Sequence, residues 1–288
     1  MTASDPTDVV IGAGRGMGAA VARSLAGRRR RLILADRNGA AAAAVADCLG
    51  NSVESTDCDI GDAAAVEDLV LRAGPVGALI VTAGLSPNMA DGTKIVDVNL
   101  VATARLLTAF EPQLGPGSVG ICFASMAAHS LPADPAVDAL LDDPDSPLLF
   151  EKLDRLGLLS HSGLAYAISK RGVVRLVEHR AKAWGERGAR LVSISPGVID
   201  TPMGRLEADH EPAIAGMVRD SALSREGSPC EVAAVVEFLI SDRASFITGT
   251  DVLVDGGAVA ASRSIVERLE SQRPPGGSGA SSCQQGDH

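Results

Sequence analysis

Tyr166 is the only tyrosine among 288 residues, and Lys170, one of four lysines, follows it by four positions. On a helix, residues at i and i+4 share one face, so the phenol and the ammonium would stand side by side. A neighbouring cation favours phenolate over phenol, which brings a tyrosine of ordinary pKa near 10 into reach as a general acid/base at neutral pH. Taken alone, Tyr166-Ala167-Ile168-Ser169-Lys170 suits equally a half-buried tyrosine beside a lysine whose stem covers apolar surface. Two further polar residues could join the chemistry. Asn99 interrupts the apolar run Val98-Asn99-Leu100, where a buried amide must find partners, either structural ones or a polar chain into a site. Ser125 directly follows the apolar strand Ser118 to Ala124, and Ser130 is its rival.

The elements able to position these residues begin near the N-terminus. Asp8-Val9-Val10-Ile11 reads as a short buried strand that runs into Gly12-Ala13-Gly14-Arg15-Gly16-Met17-Gly18 and then an Ala-rich helical pattern. Strand, glycine turn and helix form a phosphate-binding layout. The glycines permit close backbone approach, and the first helical turn offers free N–H groups and the positive end of its dipole. The spacing is GxxxGxG through Gly12, Gly16 and Gly18, because Met17 stands where a GxGxxG pattern would need glycine. Arg15 and Met17 belong with these glycines to the expected cofactor surface.

The strand Arg31 to Ala35 ends on Asp36, 18 residues past Gly18, where a carboxylate can accept both hydroxyls of an adenosine ribose. An acid there repels a 2′-phosphate and favours NAD, whereas Arg15 and Arg37 could pair with that phosphate and favour NADP. NAD is the expected cofactor, because Asp36 ends the strand and both arginines can swing to solvent. Further on, Cys58-Asp59-Ile60 offers a carboxylate to an adenine amino group, and Ala83-Gly84 provides small residues past which a ligand can lie.

Strands alternate with helical patterns of 10–15 residues, and each ligand-like residue falls at the C-terminal end of its strand. The expected fold is α/β: a single-domain Rossmann fold over residues 1–270, with a seven-stranded parallel sheet and helices on both faces. One long helix is expected from about Thr93 to Gln113 and a second, carrying Tyr166, to about Arg187. Between Ser125 and Tyr166 the regular alternation breaks. Residues 129–161 hold four prolines and two apolar-periodic pieces, an insertion expected to order as a substrate flap. Residues 202–228 read as irregular, and the Pro/Gly/Ser/Gln-rich residues 271–288 as a mobile tail.

Composition narrows the function. A net charge of −10 gives no general attraction to phosphate backbones, so nucleic acid is not an expected partner. The one basic run, Arg28 to Arg31, reads as a solvated turn. Five scattered cysteines with no CxxC pair suggest neither a disulfide framework nor a zinc site. The N-terminus lacks a basic stretch leading into an apolar core, and no apolar run reaches the ~18 residues of a membrane span, so a cytoplasmic protein is expected. Aromatic residues are only 2% of the chain, which leaves a pocket to be walled by Leu, Ile, Val, Met and Ala.

Over roughly residues 7–258 the sequence resembles the short-chain dehydrogenase/reductase family. The resemblance rests on Gly12-x-x-x-Gly16-x-Gly18, Asp36, Asp59-Ile60, Ala83-Gly84, Asn99, Ser125, Tyr166-x-x-x-Lys170, Pro196-Gly197 with Thr201, and Asp255-Gly256-Gly257. It implies a nicotinamide cofactor and hydride transfer between a secondary alcohol and a ketone. Tyr166 would exchange the proton with the substrate oxygen and Ser125 would hold that oxygen. Lys170 would bind the nicotinamide ribose, Asn99 would anchor a water joining Lys170 to solvent, and Ile199 and Thr201 would hold the carboxamide. Ile11 stands where the family commonly has threonine, and Thr82 where it commonly has asparagine, which implies slightly altered loop geometry. The spacing of 41 positions from Ser125 to Tyr166, with Ala181-Lys182-Ala183-Trp184-Gly185-Glu186, is similar to the hydroxysteroid dehydrogenase/carbonyl reductase branch. The leucines of the insertion, with Met203, Leu206 and Met217 after the sixth strand, make an apolar, steroid- or terpenoid-like alcohol or ketone the expected substrate, and a homodimer or homotetramer is the expected assembly. The competing function is a protein that binds NAD(P) without chemistry, as a sensor or scaffold; the retained Tyr166 and Lys170 speak against it. A sugar-nucleotide epimerase or dehydratase is disfavoured by the lack of a sizeable C-terminal substrate domain.

Overall fold

The computed structural model describes residues 5–28, 30–50, 52–205 and 213–271. Seven strands form one parallel sheet: β1 (Thr7–Ile11), β2 (Leu32–Asp36), β3 (Val53–Asp57), β4 (Val76–Val81), β5 (Val119–Phe123), β6 (Arg190–Pro196) and β7 (Asp251–Val254). Their order is β3-β2-β1-β4-β5-β6-β7, so the direction of winding reverses between β1 and β4. A crevice at the carboxyl ends of the strands opens at such a reversal. The register keeps those ends level, with Ile11 opposite both Ala35 and Val81, and Phe123 opposite Ile194.

Successive residues of a strand point to opposite faces, which is why β1 is buried along its whole length. Val9 and Ile11 enter one core, with Leu79, Val81, Leu106, Phe110 and Trp184. Val10 enters the other, with Leu34, Ile80, Val21, Leu25 and Val236. Helices α1 (Gly16–Leu25), α2 (Gly39–Leu49) and α3 (Ala63–Ala73) link the first strands. After β4 the chain forms α4 (Gly92–Val96), a π-type turn (Asp97–Ala102) and α5 (Thr103–Phe110) where the sequence suggested one continuous helix. Asn99 lies inside that wider turn.

The insertion supplies α6 (Pro135–Leu141) and α7 (Leu149–Arg155), followed by the 25-residue α8 (Ser162–Glu186) that carries Tyr166 and Lys170. Leu149, Leu153 and Leu159 pack with Val96, Val101, Ala165 and Ile168 into a separate small core. Two arginines of α8 grip α6: Arg171 donates to both oxygens of Asp138 at 2.6 and 2.7 Å, and Arg175 to both oxygens of Asp142 at 2.5 and 2.6 Å. Such bidentate pairs fix geometry as well as charge. The insertion is thus fastened to the outer face of the helix bearing the tyrosine, while Leu148 and Leu156 stay exposed.

Three expectations need correction. Residues 202–228 contain a helix, α9 (Ala213–Asp220), before α10 (Pro229–Leu239). A final helix, α11 (Ala258–Ser271), follows β7, capped by Asp255, whose carboxylate accepts from the Gly257 and Val259 N–H groups at 2.8 Å each. The basic run is not simply solvated. Arg28 and Arg30 lie 3.6 and 3.4 Å from the buried Asp8, and Arg31 pairs with Glu54 at 2.6 Å. The residues expected to form a mobile tail lie outside the described residues, apart from Ser271.

Candidate active site

The glycine loop joins β1 to α1 and touches the end of β4. At Gly12, with φ at +85°, a Cβ would lie 2.6 Å from the Ala83 backbone nitrogen, and at Gly18 it would lie 2.0 Å from the Gly12 carbonyl oxygen. Both positions therefore require glycine, one for its backbone angle and both for space. Thr82 ties the loop down: its hydroxyl lies 2.9 Å from the Ile11 carbonyl oxygen and 3.1 Å from that of Gly12. One hydroxyl thus reaches two loop carbonyls, and the departure at Thr82 leaves the loop anchored.

Asp36 is held by the same loop. Its Oδ2 accepts from the Gly14 N–H and its Oδ1 from the Asn38 N–H, each at 2.9 Å. Each carboxylate oxygen keeps a further lone pair for a ligand. Arg15 and Arg37 are exposed. A groove lined by Gly12, Arg15, Gly16, Met17, Gly18 and Asp36 runs on to Arg37, Asp59 and Ile60, encloses about 970 Å³ with the open solvent at its mouth included, and reaches Ala83 and Gly84. That is ample for a cofactor or a drug-sized ligand. Thr201 and Met203 close it from the other side, with the Thr201 side chain 3.5 Å from where a Gly16 Cβ would be. Thr201 is not free there: its hydroxyl accepts from the Gly204 N–H at 2.9 Å.

Several groove residues were not anticipated. Met89, Lys94, Leu85 and Val98 also line it. Lys94 was legible as one of four lysines, but nothing in its spacing pointed to the groove. Its ammonium donates to Asp97 at 2.8 Å, which holds its pKa above the ordinary lysine value. Cys58 lies in the groove wall as well. Burial, reinforced by Asp59, Asp57 and Asp62, pushes its thiol up to about 11, so it stays protonated and is a poor nucleophile.

Tyr166, Lys170 and Asn99 gather behind the Gly84 end of this groove. Lys170 is buried, donates to the Phe123 carbonyl at 2.8 Å, and holds its nitrogen 5.8 Å from the centre of the Tyr166 ring. The i+4 spacing thus places the ammonium beside the ring and ties α8 to the end of β5. A Cβ on Gly84 would lie 3.1 Å from Asn99 Oδ1 and 3.2 Å from Lys170 Nζ, so Gly84 lies against both groups where it lines the groove. Asn99 is clamped at both ends of its amide. It accepts from the Leu85 N–H at 2.7 Å and donates to the Leu85 carbonyl at 3.0 Å and to Ser169 Oγ at 3.1 Å.

Ser125 begins a short 3₁₀ turn, Met126–His129, its hydroxyl accepting from the Ala127 N–H at 3.2 Å. Its rival Ser130 is exposed, its hydroxyl 3.5 Å from the Met126 carbonyl. Pro196 ends β6, and Gly197 donates to the Val254 carbonyl at 2.9 Å. Ile199 is buried with the core of the α1 face and forms a bridge with Gly227. Neither Pro196, Gly197 nor Ile199 lines the groove wall, whereas Thr201 does. Leu206 lies outside the described residues.

Comparison with known proteins decides the family. Residues 7–132 match the model for short chain dehydrogenase, and residues 156–259 the model described as enoyl-(acyl carrier protein) reductase. The short-chain dehydrogenase/reductase bsc3 of Alternaria brassicicola is 34% identical over 268 residues, covering 89% of this chain and 97% of that protein. The chain belongs to the short-chain dehydrogenase/reductase family. It is also similar to a 3-alpha-hydroxysteroid dehydrogenase/carbonyl reductase of Comamonas testosteroni, at 31% identity over 249 residues, or 78% of this chain and 93% of that one. Among solved structures, BdcA in complex with NADPH matches with a TM-score of 0.69 over 88% of this chain and 93% of its own, at 23% identity, a likeness of fold. The chain is thus an oxidoreductase of the NAD(P)-binding short-chain family with a Rossmann-type sheet. No helix of the described residues is long and apolar enough to cross a membrane.

Proposed function

We propose that the protein is an NAD(P)-dependent oxidoreductase that interconverts an apolar secondary alcohol and its ketone. The observation that carries this most directly is the buried Lys170 beside Tyr166, directly behind the glycine-walled groove. The residues fit a dinucleotide. Gly12 and Gly18 let the loop fold tightly against Ala83 and onto itself, with no room for a Cβ at either position, and Asp36 is pinned with lone pairs to offer a ribose. When bound, the nicotinamide supplies the hydride donor or acceptor.

The chain's own residues handle the proton. Tyr166 gives or takes it at the substrate oxygen, a contribution typically worth ~10²–10⁴ in rate. Lys170 favours the negative charge that develops on the phenol oxygen. Ser125 holds the substrate oxygen, and Asn99 keeps the wall behind Lys170 in place and anchors a water leading to solvent. Thr201 in the groove wall would hold the carboxamide, and Ile199, whose side chain is buried in the core, could join it only through its backbone.

NAD is the preferred cofactor in this proposal. The Asp36 carboxylate is held by two backbone N–H groups and cannot turn away from a 2′-phosphate, whereas Arg15 and Arg37 are exposed and free to move. Met89, Leu85 and Met203 give the groove apolar walls, and Met203, with Leu206, would contact an apolar substrate of steroid or terpenoid type. The 129–161 insertion would form the far side of the entrance. A cytoplasmic homodimer or homotetramer completes the proposal.

Calorimetry with NAD⁺ and NADP⁺, followed by an alcohol and ketone panel with the tighter one, tests the whole proposal. Tighter NAD⁺ binding and turnover of cyclic ketones or alcohols support it. Binding without turnover of any panel member would favour the sensor, and turnover confined to small polar sugars would remove the apolar substrate.

A further inference from the structure

Outside the groove, a second polar cluster joins three elements. His129, the last residue of the turn begun by Ser125, points its Nε2 at Asp251 Oδ2, 2.8 Å away at the start of β7, and at Ser195 Oγ, 3.3 Å away on β6. The other Asp251 oxygen accepts from the Ser193 hydroxyl at 2.7 Å. Ser193 and Ser195 are fully buried, and the His129 and Asp251 side chains are 24% and 8% exposed.

Serine, histidine and aspartate together invite comparison with a hydrolytic relay, and the geometry rejects it. A relay needs the carboxylate on one ring nitrogen and the hydroxyl on the other. Here both approach Nε2, and Ser195 lies inside the sheet with no exposed surface. With a carboxylate oxygen at 2.8 Å, Nε2 must carry the proton and donate, which makes the imidazole a clamp.

The clamp acts on one short segment. The turn leaves β5 at Ala124, whose N–H donates to the Ile194 carbonyl at 2.8 Å. Within the turn, the Ala128 N–H donates to the Ser125 carbonyl at 2.9 Å, which closes the turn onto Ser125. Met126 packs on Ala258 and Val259 at the start of α11. At its far end the chain departs into the insertion, and His129 is the side chain that ties that end to β6 and β7. β6 leads into the Pro196 to Thr201 segment, so the same contact sets Ser125 against the segment that closes the groove.

We propose that His129 is a positioning residue: the N–H it donates to Asp251 and Ser195 fixes the turn that presents Ser125. The proposal rests on Ser125 holding the substrate oxygen, and its test keeps the two claims apart. His129→Ala, His129→Gln, Asp251→Ala and Ser125→Ala are made in the full chain. Each is assayed for cofactor binding, melting temperature and turnover of the best ketone from a panel running from cyclohexanone through decalone to steroid ketones. Glutamine places an amide N–H near the position of Nε2 and should rescue.

His129→Ala is expected to lower kcat about 10- to 100-fold, the scale of a misplaced reacting group, with cofactor Kd within about twofold. His129→Gln should stay within about threefold of native, and Asp251→Ala should match His129→Ala, with the double variant no worse. Amide exchange in the 124–130 segment should accelerate at least about tenfold in His129→Ala and not in His129→Gln. Native turnover in His129→Ala, or equal impairment of His129→Gln and His129→Ala, overturns the proposal. If His129→Ala does not fold, His129→Met fills the volume without an N–H, and native turnover there overturns it equally. Native turnover in Ser125→Ala instead defeats the role of Ser125 itself.

Discussion

Replacing Asn99 with leucine should destabilise the fold by about 2–5 kcal/mol. Asn99 is 1% exposed, and its amide serves both the N–H and the carbonyl of Leu85. Leucine is close in size and leaves both backbone groups without that partner in a region already closed to water. Each buried polar group so abandoned costs about 1–3 kcal/mol. Ser169 adds little, because its hydroxyl keeps the Tyr166 carbonyl as acceptor at 2.8 Å. For a domain of this size, about 2–4 °C of Tm is lost per kcal/mol, so thermal unfolding should move down by about 4–20 °C. Asn99→Asp, which keeps the acceptor for the Leu85 N–H and loses the donor, should fall between. A Tm within about 2 °C of native for Asn99→Leu would refute the clamp and return Asn99 to a purely functional role.

Other perturbations probe separate parts. Gly18→Ala drives a Cβ to within 2.0 Å of the Gly12 carbonyl oxygen, an overpacking of about 1–3 kcal/mol. Calorimetry should show cofactor affinity about 10- to 100-fold weaker. Burial holds the Asp8 carboxyl above its ordinary 3.8 despite Arg28 and Arg30, and its Oδ2 has no hydrogen-bond partner. A carboxyl raised in the fold contributes stability that is complete below its ordinary value and is lost as pH rises through the folded value. The Tm of Asp8→Asn relative to native should therefore be more favourable at about pH 7 than at about pH 4. Asp138→Ala removes the bidentate partner of Arg171, whose side chain is 17% exposed. That should destabilise by about 1–3 kcal/mol and hasten limited proteolysis between residues 130 and 160, and an unchanged cleavage rate would count against the latch.

Much of this was legible before any coordinates. Short apolar strands ending in glycine, acid or serine determine where ligand groups emerge, because a parallel sheet places those ends along one edge. Gly12 and Asp36 accordingly stand at the carboxyl ends of β1 and β2. Asn99 was legible as a buried amide, but its partners were not, since Leu85 precedes it by 14 residues in the loop after β4 and Asn99 itself lies in the wide turn at Asp97–Ala102. Lys94 and Met89 escaped notice because they reach the groove through tertiary packing rather than a local pattern. The helix α11 was missed because its cap, Asp255, reads equally well as part of a closing turn. His129 carried no signal either, its partner Asp251 lying 122 residues away.

The central claim is that Tyr166 exchanges a proton with the substrate oxygen. Its most direct test is Tyr166→Phe, which removes one oxygen and leaves the ring beside Lys170. Turnover of the best panel substrate should fall by at least about 100-fold, with cofactor Kd unchanged within about threefold. Near-native turnover with a confirmed substrate would contradict the account.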